Sequence, residues 1–148
     1  MARALIVFGS ETGNTRKASQ IIAEAIEAKG HEVRMEDVQR VDTSILDEPY
    51  DLYLLGVSTW GAIDEEVTED FKDFHEELAS KDLSGKPMGV FGCGDSGYDQ
   101  FCKAVDFVAD RVEKQGAKLV LDKLKIDLDP ANSREQVEAW AAQAAAAM

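Results

Sequence analysis

The stretch Ala4-Leu5-Ile6-Val7-Phe8-Gly9-Ser10-Glu11-Thr12-Gly13-Asn14-Thr15 decides the fold class of this chain. Its first five residues are all apolar, which predicts a strand buried on both faces. After the polar turn, a helical pattern runs from about Asn14 to Lys29, and Gly30 is placed to be its C-cap. A buried strand that leads through a short polar turn into a helix is typical of a parallel α/β unit.

The same alternation continues along the chain. We predict further strands at His31–Met35, Asp51–Val57, Met88–Phe91 and Lys118 to about Ile126. Two intervening helices are predicted from apolar stripes: Val67, Phe71, Phe74 and Leu78 in one, and Phe101, Val105, Val108 and Val112 in the other, which ends at Gly116. Five strands with intervening helices predict a doubly wound α/β fold, a five-stranded parallel sheet with helices on both faces.

A last helix is predicted over Ser133–Ala147. It begins at the capping box Ser133-Arg134-Glu135-Gln136, and Val137 and Trp140 are its anchors in the core. The chain shows no internal repeat and no linker composition. We therefore expect one domain over residues 1–148.

The composition excludes several classes of partner. Among 148 residues, 29 are acidic and 16 basic, so that the formal net charge is −13. Such a surface repels nucleic acid and anionic membranes and attracts proteins with a basic face, although acidity that only keeps the protein soluble explains the charge equally well. Cys93 and Cys102 form no disulfide framework and no zinc pattern. From that spacing we predict no metal site. Because no secretory signal or membrane span is recognisable, we predict a cytoplasmic protein.

The loop after the first strand is the first of three candidate ligand loops. In doubly wound folds, ligands bind at the carboxyl ends of the strands, beside the point where the strand order reverses. Ser10, Thr12 and Thr15 offer hydroxyls, Asn14 offers an amide, and the helix N-terminus offers backbone N–H groups, all of which can bind an anion. A turn with a helix N-cap is the alternative, since caps favour the same residue types. The nucleoside-triphosphate loop and the dinucleotide fingerprint are both absent.

The other two loops each combine an aromatic residue with glycine. They read Ser58-Thr59-Trp60-Gly61 after the third strand and Gly92-Cys93-Gly94-Asp95-Ser96-Gly97-Tyr98 after the fourth. Trp60 and Tyr98 can stack on a planar ring, and glycine allows the backbone to approach it. The alternatives are a Trp that covers the sheet edge and a glycine-rich loop with an incidental Tyr. Taken together, the three loops predict a site for a flat ring that carries a phosphate.

These motifs resemble those of the flavodoxin family. Ser10-x-Thr12-Gly13-Asn14-Thr15 is similar to the family's FMN phosphate loop, and Ser58-Thr59-Trp60-Gly61 and Gly94-Asp95-x-x-Tyr98 are similar to its two ring-binding loops. The resemblance covers essentially the whole chain and is to the short-chain type, since no inserted loop interrupts the fifth strand. It implies the strand order 2-1-3-4-5, for which flavodoxins are a known example, with FMN between the first and third strands.

The resemblance also implies a function. The protein would be a low-potential one-electron carrier that shuttles non-covalently bound FMN between semiquinone and hydroquinone. It would have no catalytic residues of its own and would not be an enzyme. We expect it to be a monomer whose partners are redox proteins with basic faces, with no role for nucleic acid or a membrane.

The same resemblance implies roles for fifteen residues. The phosphate would be bound by side chains and backbone N–H groups of the first loop: Ser10, Glu11, Thr12, Gly13, Asn14 and Thr15. Ser58 would lie near the ribityl chain, Trp60 would cover the inner face of the ring and Tyr98 the outer face. Backbone bonds to the ring edge would come from Thr59, Gly61, Gly94, Asp95 and Cys102. Cys93 would line the pocket.

Three positions depart from the family pattern. Glu11 stands where the family has a small or hydroxyl residue, Ala62 where an acid is common, and Gly97 where it loosens the loop that carries Tyr98. A carboxylate at Glu11 would weaken phosphate binding unless it points to solvent. Arg16 and Lys17 either offset it or form a solvated helix face. These departures affect the FMN affinity and the potentials more than the choice of cofactor.

Two other functions suit the same scaffold. A phosphoacceptor response regulator needs acids after the first strand and an Asp at the end of the third, where this chain has Gly9-Ser10 and Val57-Ser58. An FMN-dependent NAD(P)H:quinone oxidoreductase usually carries extra segments for a second substrate, which this short chain lacks. His31 and His75 are isolated in the sequence and are expected to be surface residues without a catalytic role.

Overall fold

The computed structural model describes residues 2–9, 14–58, 69–94, 103–127 and 130–148. Within these ranges the strands are β1 (Arg3–Phe8), β2 (Glu32–Asp37), β3 (Leu52–Ser58), β4 (Pro87–Gly94), β5 (Lys118–Leu119) and β6 (Leu124–Asp127). The helices are α1 (Asn14–Glu27), α2 (Glu69–Leu78), α3 (Lys103–Lys114) and α4 (Arg134–Ala146). The element order therefore agrees with the strand–helix alternation predicted from the sequence, although β2 and β4 extend further toward the C-terminus than predicted.

All strand pairs are parallel, and the order β2-β1-β3-β4-β5 confirms the doubly wound topology. The prediction of one continuous fifth strand was wrong. Both β5 and β6 pair with β4, through Met88 with Leu119 and then Phe91 with Leu124, so that the four residues 120–123 stand opposite only two residues of β4. The surplus residues leave the ladder as a bulge. There the carbonyl of Asp122 accepts a 2.7 Å hydrogen bond from the indole N–H of Trp140.

The sheet separates two apolar layers because successive side chains point to opposite faces. Leu5, Val7, Leu55 and Val57 lie on the face covered by α2 and α3. Ala4, Ile6, Leu54 and Phe91 lie on the face covered by α1 and α4. The predicted helix stripes are confirmed where they are described, with these residues buried: Phe74, Leu78, Val105, Val108, Val112, Val137 and Trp140. Val67 and Phe101, and the side chain of Phe71, lie outside the described residues.

The helix ends confirm some of the predicted caps and correct another. Gly30 and Gly116 have φ of +90° and +97°, the left-handed conformation that ends a helix and that glycine adopts without strain. The capping box at Ser133 was wrong. Ser133 closes a 3-10 turn over Pro130–Ser133 with φ −125° and ψ 29°, and its hydroxyl makes no capping bond to the described first turn of α4. A capping hydroxyl needs extended backbone at the cap residue, which this turn does not provide.

Candidate functional site

The carboxyl ends of three neighbouring strands meet at one edge of the sheet. The N–H of Gly9, just after β1, donates a 3.0 Å hydrogen bond to the carbonyl of Gly56 in β3. Ser58, the last residue of β3, pairs with Cys93 of β4, and Gly94 ends β4. We call the edge formed by Gly9, Asn14, Ser58 and Gly94 the carboxyl edge. The three candidate ligand loops follow these strand ends in the sequence, which is the place where doubly wound sheets bind ligands.

The first turn of α1 suits an anion. The helix begins at Asn14, and its first turn contains no acidic residue. Thr15 is completely buried, and its carbonyl accepts a 2.8 Å hydrogen bond from the Ser19 hydroxyl one turn later. The first N–H groups of any α-helix lack partners within the helix and carry the positive end of its dipole. The start of a helix therefore lies where the sequence predicts the phosphate.

Arg16, a cation in the first turn of α1, is paired with an acidic side chain. The Arg16 guanidinium lies 3.3 Å from a carboxylate oxygen of Asp37 and 5.3 Å from the centre of the Phe8 ring. Arg16 and Lys17 are both exposed, which agrees with a solvated helix face. The ion pair with Asp37 offsets part of the charge of Arg16, and the helix N-terminus adds its own positive potential at this end of α1.

The backbones of β3 and β4, on the other side of the site, approach each other closely. A Cβ at Gly92 would overlap the carbonyl oxygen of Val57 and lie 2.7 Å from Cγ2 of Val105. Glycine is the residue that fits such a close backbone approach. Cys93 follows it and is buried, with its backbone beside Ser58. The structure thus places Ser58, Cys93 and Gly94 next to one another, with Asn14 and Thr15 at the same edge, and their roles in binding stay predictions.

The remaining predicted site residues lie outside the described residues: Ser10, Glu11, Thr12, Gly13, Thr59, Trp60, Gly61, Asp95, Tyr98 and Cys102. Ala62 and Gly97, the two departures in the ring-binding loops, also lie outside them. Their roles stay predictions.

A cleft of about 610 Å³ lies at the opposite edge of the sheet, which we call the amino edge, lined among others by Arg3, His31, Arg34 and Tyr50. Its cations already have partners. Arg3 lies 3.6 Å from Glu32. Arg34 donates hydrogen bonds to the Tyr50 hydroxyl and the Glu36 carboxylate, which hold its pKa above the ordinary value. Both arginines that line this cleft are therefore engaged with other side chains.

The expectation that His75 is a surface residue was wrong. Its side chain is half-buried, and its Nδ1 has no hydrogen-bond partner among the described residues. Burial, together with the nearby charge of Arg111, lowers the pKa of His75 to about 4. His75 belongs to the last turn of α2, whose helix runs from the carboxyl toward the amino edge.

Sequence reasoning missed two residues beneath the site, Gly56 and Phe91. A Cβ at Gly56 would lie 2.5 Å from Cζ of Phe91 and 3.1 Å from Cγ2 of Thr15. A signal existed for Gly56, since an isolated glycine inside an apolar strand indicates close approach by other atoms. Phe91 gave none, because any buried strand contains such residues.

In the described part of the chain, no helix is long and apolar enough to cross a membrane. In the same ranges, no group of three or more His, Cys, Asp or Glu side chains is arranged to hold a metal ion.

Known proteins resemble this chain over nearly its full length. The profile of the family described as Flavodoxin matches residues 6–140. A flavodoxin of Maridesulfovibrio salexigens is 44% identical over 140 residues, which cover 95% of this chain and 94% of that protein. The crystal structure of oxidised flavodoxin 2 from Bacillus cereus superposes with a TM-score of 0.92 at 35% identity, covering 99% of this chain and 100% of the other. A Fusobacterium nucleatum flavodoxin bound to flavin mononucleotide shares the fold, with a TM-score of 0.81 at 17% identity over 97% of both chains.

Proposed function

This chain belongs to the flavodoxin family, which makes it an FMN-dependent electron carrier, and from that premise we propose that FMN binds without a covalent bond at the carboxyl edge. The observation that carries the proposal is the meeting of the ends of β1, β3 and β4 beside the start of α1. Such an edge at a topological switch point is the expected ligand site of a doubly wound sheet.

The phosphate group is assigned to the loop before α1 and the helix start. Asn14 and Thr15 are its described members, and Ser10, Glu11, Thr12 and Gly13 complete the proposed set. Support comes from the absence of acids in the first turn of α1 and from the pairing of Arg16 with Asp37. The donors would be neutral groups aided by the helix dipole, which binds a phosphate without a lysine.

The ring is assigned to the ends of β3 and β4. Ser58 and Cys93 are directly paired, so residues that follow β3 and β4 start from neighbouring points of the sheet. We propose that Trp60 and Tyr98 stack on the two ring faces, and that Thr59, Gly61, Gly94, Asp95 and Cys102 bond to its edge through their backbones. Bound FMN supplies one-electron transfer, and the chain's part is to bind it, exclude water from it and set the charge around it.

The net charge of −13 supports a low potential and a basic partner. Negative charge near a cofactor disfavours adding an electron to it, because each carboxylate at ~10 Å contributes roughly 1–2 kcal/mol at an effective dielectric of about 20. The same field attracts proteins with a basic face and speeds their encounter. We further propose that the chain acts as a cytoplasmic monomer and has no catalytic activity of its own.

The cofactor experiment uses the purified protein. Its flavin is released by acid, identified and counted, and a reductive titration is followed by visible absorbance. The proposal predicts one FMN per chain and reduction in two separate one-electron steps. Released FAD, an apoprotein that takes up no flavin, or steady NADPH oxidation by the isolated protein would contradict it.

The partner experiment varies salt. Stopped-flow electron transfer from the reduced protein to a basic cytochrome should slow steeply as ionic strength rises, because salt screens charges beyond about 8 Å at physiological strength. An acidic acceptor should show the opposite or no trend and is the control. A flat salt dependence with the basic acceptor would remove the basic-face proposal and leave the cofactor proposal untouched.

A further inference from the structure

One position of β3 has no side chain beneath the start of α1. Gly56 follows Leu52 and Leu54 on the face covered by α1 and α4. A Cβ built there would lie 2.5 and 2.7 Å from Cζ and Cε2 of Phe91, and 3.1 Å from Cγ2 of Thr15. The Phe91 ring and the Thr15 methyl group therefore occupy the space that a side chain at position 56 would need.

Packing against Trp140 holds the Phe91 ring in this place. It is completely buried, and its centre lies 5.7 Å from that of the Trp140 ring, at an interplanar angle of 57°. Trp140 is fixed in turn by its 2.7 Å hydrogen bond to the carbonyl of Asp122 in the bulge. Packing this tight leaves the ring little room to retreat from β3.

Gly56 also contacts both ends of the proposed phosphate loop. Its carbonyl accepts the N–H of Gly9, the residue before the loop, at 3.0 Å. Its bare Cα faces the methyl group of Thr15, the second residue of α1. The Ser19 hydroxyl, bonded to the Thr15 carbonyl at 2.8 Å, ties this threonine to the next turn of the helix.

We propose that Phe91 and Gly56 set the position of Thr15, and that Phe91 is thereby a positioning residue for the phosphate end of the FMN site. This inference rests on the proposed function, because it needs the phosphate at the start of α1. Phe91 itself touches no ligand. A methyl group added at position 56 would press on both the Phe91 ring and Thr15. Because Trp140 packs against the ring, we expect Thr15 and the start of α1 to move more easily than the ring.

The test perturbs the contact from both sides. Gly56→Ala inserts a methyl group between Phe91 and Thr15. Phe91→Leu removes the two ring atoms nearest to position 56, and the double variant combines the insertion with the space that it needs. Gly89→Ala is the control, since it crowds the ends of Leu121 and Leu54 at 2.9 and 3.0 Å, and Cζ2 of Trp140 less closely at 3.3 Å, in the same layer two residues before Phe91.

The readout is the affinity of each apoprotein for FMN and for riboflavin, which lacks the phosphate. Gly56→Ala should weaken FMN binding about tenfold, the loss expected for one displaced hydrogen bond to a charged group, and riboflavin binding less than about twofold. Phe91→Leu should act in the same direction with a smaller loss. The double variant should recover most of the FMN affinity, because the two changes share one contact. Gly89→Ala should leave both affinities within about twofold.

A second readout needs no flavin. The urea midpoint of each apoprotein is compared in inorganic phosphate and in chloride of equal ionic strength. Wild type and Gly89→Ala should gain stability from phosphate, and Gly56→Ala should gain less.

Parallel losses for FMN and riboflavin, or a double variant without recovery, would overturn the positioning role. An unchanged FMN affinity in both single variants would do the same. If wild type prefers neither FMN over riboflavin nor phosphate over chloride, the proposed phosphate site itself fails, which is a separate outcome. Should Gly56→Ala not fold, Phe91→Leu decides the question by the same ratio.

Discussion

The carboxyl and amino edges of the sheet differ in what they leave available. At the carboxyl edge β3 ends in Ser58, β4 ends in Gly94 and Gly9 directly follows β1, beside the first turn of α1. At the amino edge, charged side chains bond to one another, as Arg34 does to Glu36 at 2.8 Å and to Glu48 at 3.1 Å. The carboxyl edge therefore consists of small residues and the start of a helix, whereas the charged side chains of the amino edge bond to one another.

We expect the open cleft at the amino edge not to be the cofactor site. The cleft of about 610 Å³ belongs to the amino edge, where the cations are paired. The family's cofactor is expected at the carboxyl edge, where parallel strands meet helix N-termini. The first question for either edge is therefore which donors and charges remain for a ligand.

The largest expected effect is structural and falls on the carboxyl edge. Gly92→Ala would force a Cβ into the carbonyl of Val57, a backbone atom that cannot rotate away. We expect the free energy of unfolding to fall by about 3 kcal/mol or more. Gly89→Ala meets the ends of two leucine side chains and, at 3.3 Å, Cζ2 of Trp140, all of them side-chain atoms, and should cost about 1 kcal/mol. Urea unfolding of the apoproteins measures both, and equal losses would contradict the close approach of β3 and β4.

The next prediction compares ligand binding at the two edges. Thr15→Val keeps the buried shape and removes the hydroxyl, so FMN affinity should fall about tenfold. Arg3→Gln, which breaks the exposed pair with Glu32 at the amino edge, should change FMN affinity by less than about twofold. Fluorescence titration of the apoproteins gives both constants. If Arg3→Gln loses more FMN affinity than Thr15→Val does, FMN binds at the amino edge and the proposed location is contradicted.

The third prediction concerns pH and the amino edge. Burial and Arg111 hold the pKa of His75 at about 4, below the ordinary 6.5, so the unfolded chain binds the proton first as pH falls. The stability due to neutral His75 is complete above pH 6.5 and is lost between 6.5 and 4. Because the side chain is partly exposed, we expect a loss of about 1–2 kcal/mol over that window.

The matched variant is His75→Gln, which cannot titrate. The difference in unfolding free energy between wild type and variant should shrink as pH falls from 7 to 4.5, while the other groups titrate equally in both proteins. A difference that stays constant over this range would show that His75 is protonated as readily in the folded as in the unfolded chain.

The smallest effect is expected at an ion pair near the carboxyl edge. Burial alone would raise the pKa of Asp106, but hydrogen bonds from Lys123 at 2.8 Å and Lys125 at 2.9 Å outweigh it, so the pKa lies below the ordinary 3.8. Asp106 thus stabilises the fold above about pH 3.8 and ceases to do so as pH falls further.

Asp106→Asn should cost less than about 1 kcal/mol at pH 7, and this cost should shrink as pH falls below the ordinary pKa of aspartate. Glu138→Gln, which breaks the exposed helix pair with Arg134, should cost about 0.3 kcal/mol and serves as the reference. Thermal unfolding of both variants at pH 7 and pH 3 makes the comparison, and a cost of Asp106→Asn that is the same at both pH values would assign Asp106 a role other than its ion pairs.

Local patterns were enough to predict most of the fold. The apolar runs of β1 and β3 and the glycines that end helices are local signals, and each is present in the structure at or near its predicted place. The bulge at residues 120–123 was not predictable, because it depends on the register of β6 against β4 and on the bond from Trp140. The half-buried His75 and the contact between Phe91 and Gly56 were missed for the same reason, since each joins residues distant in sequence. For the site, the meeting of the three loops stays a prediction from the sequence, and the packing beneath their strand ends required the structure.

The location of FMN at the carboxyl edge is tested most directly by amide chemical shifts in a titration of the ¹⁵N-labelled apoprotein with FMN. The account predicts the largest changes at Asn14, Thr15, Ser58, Cys93 and Gly94, and small changes at Arg3, Gly30, His31 and Tyr50 around the amino-edge cleft. Saturation at one FMN per chain with the largest changes at the amino edge would contradict it.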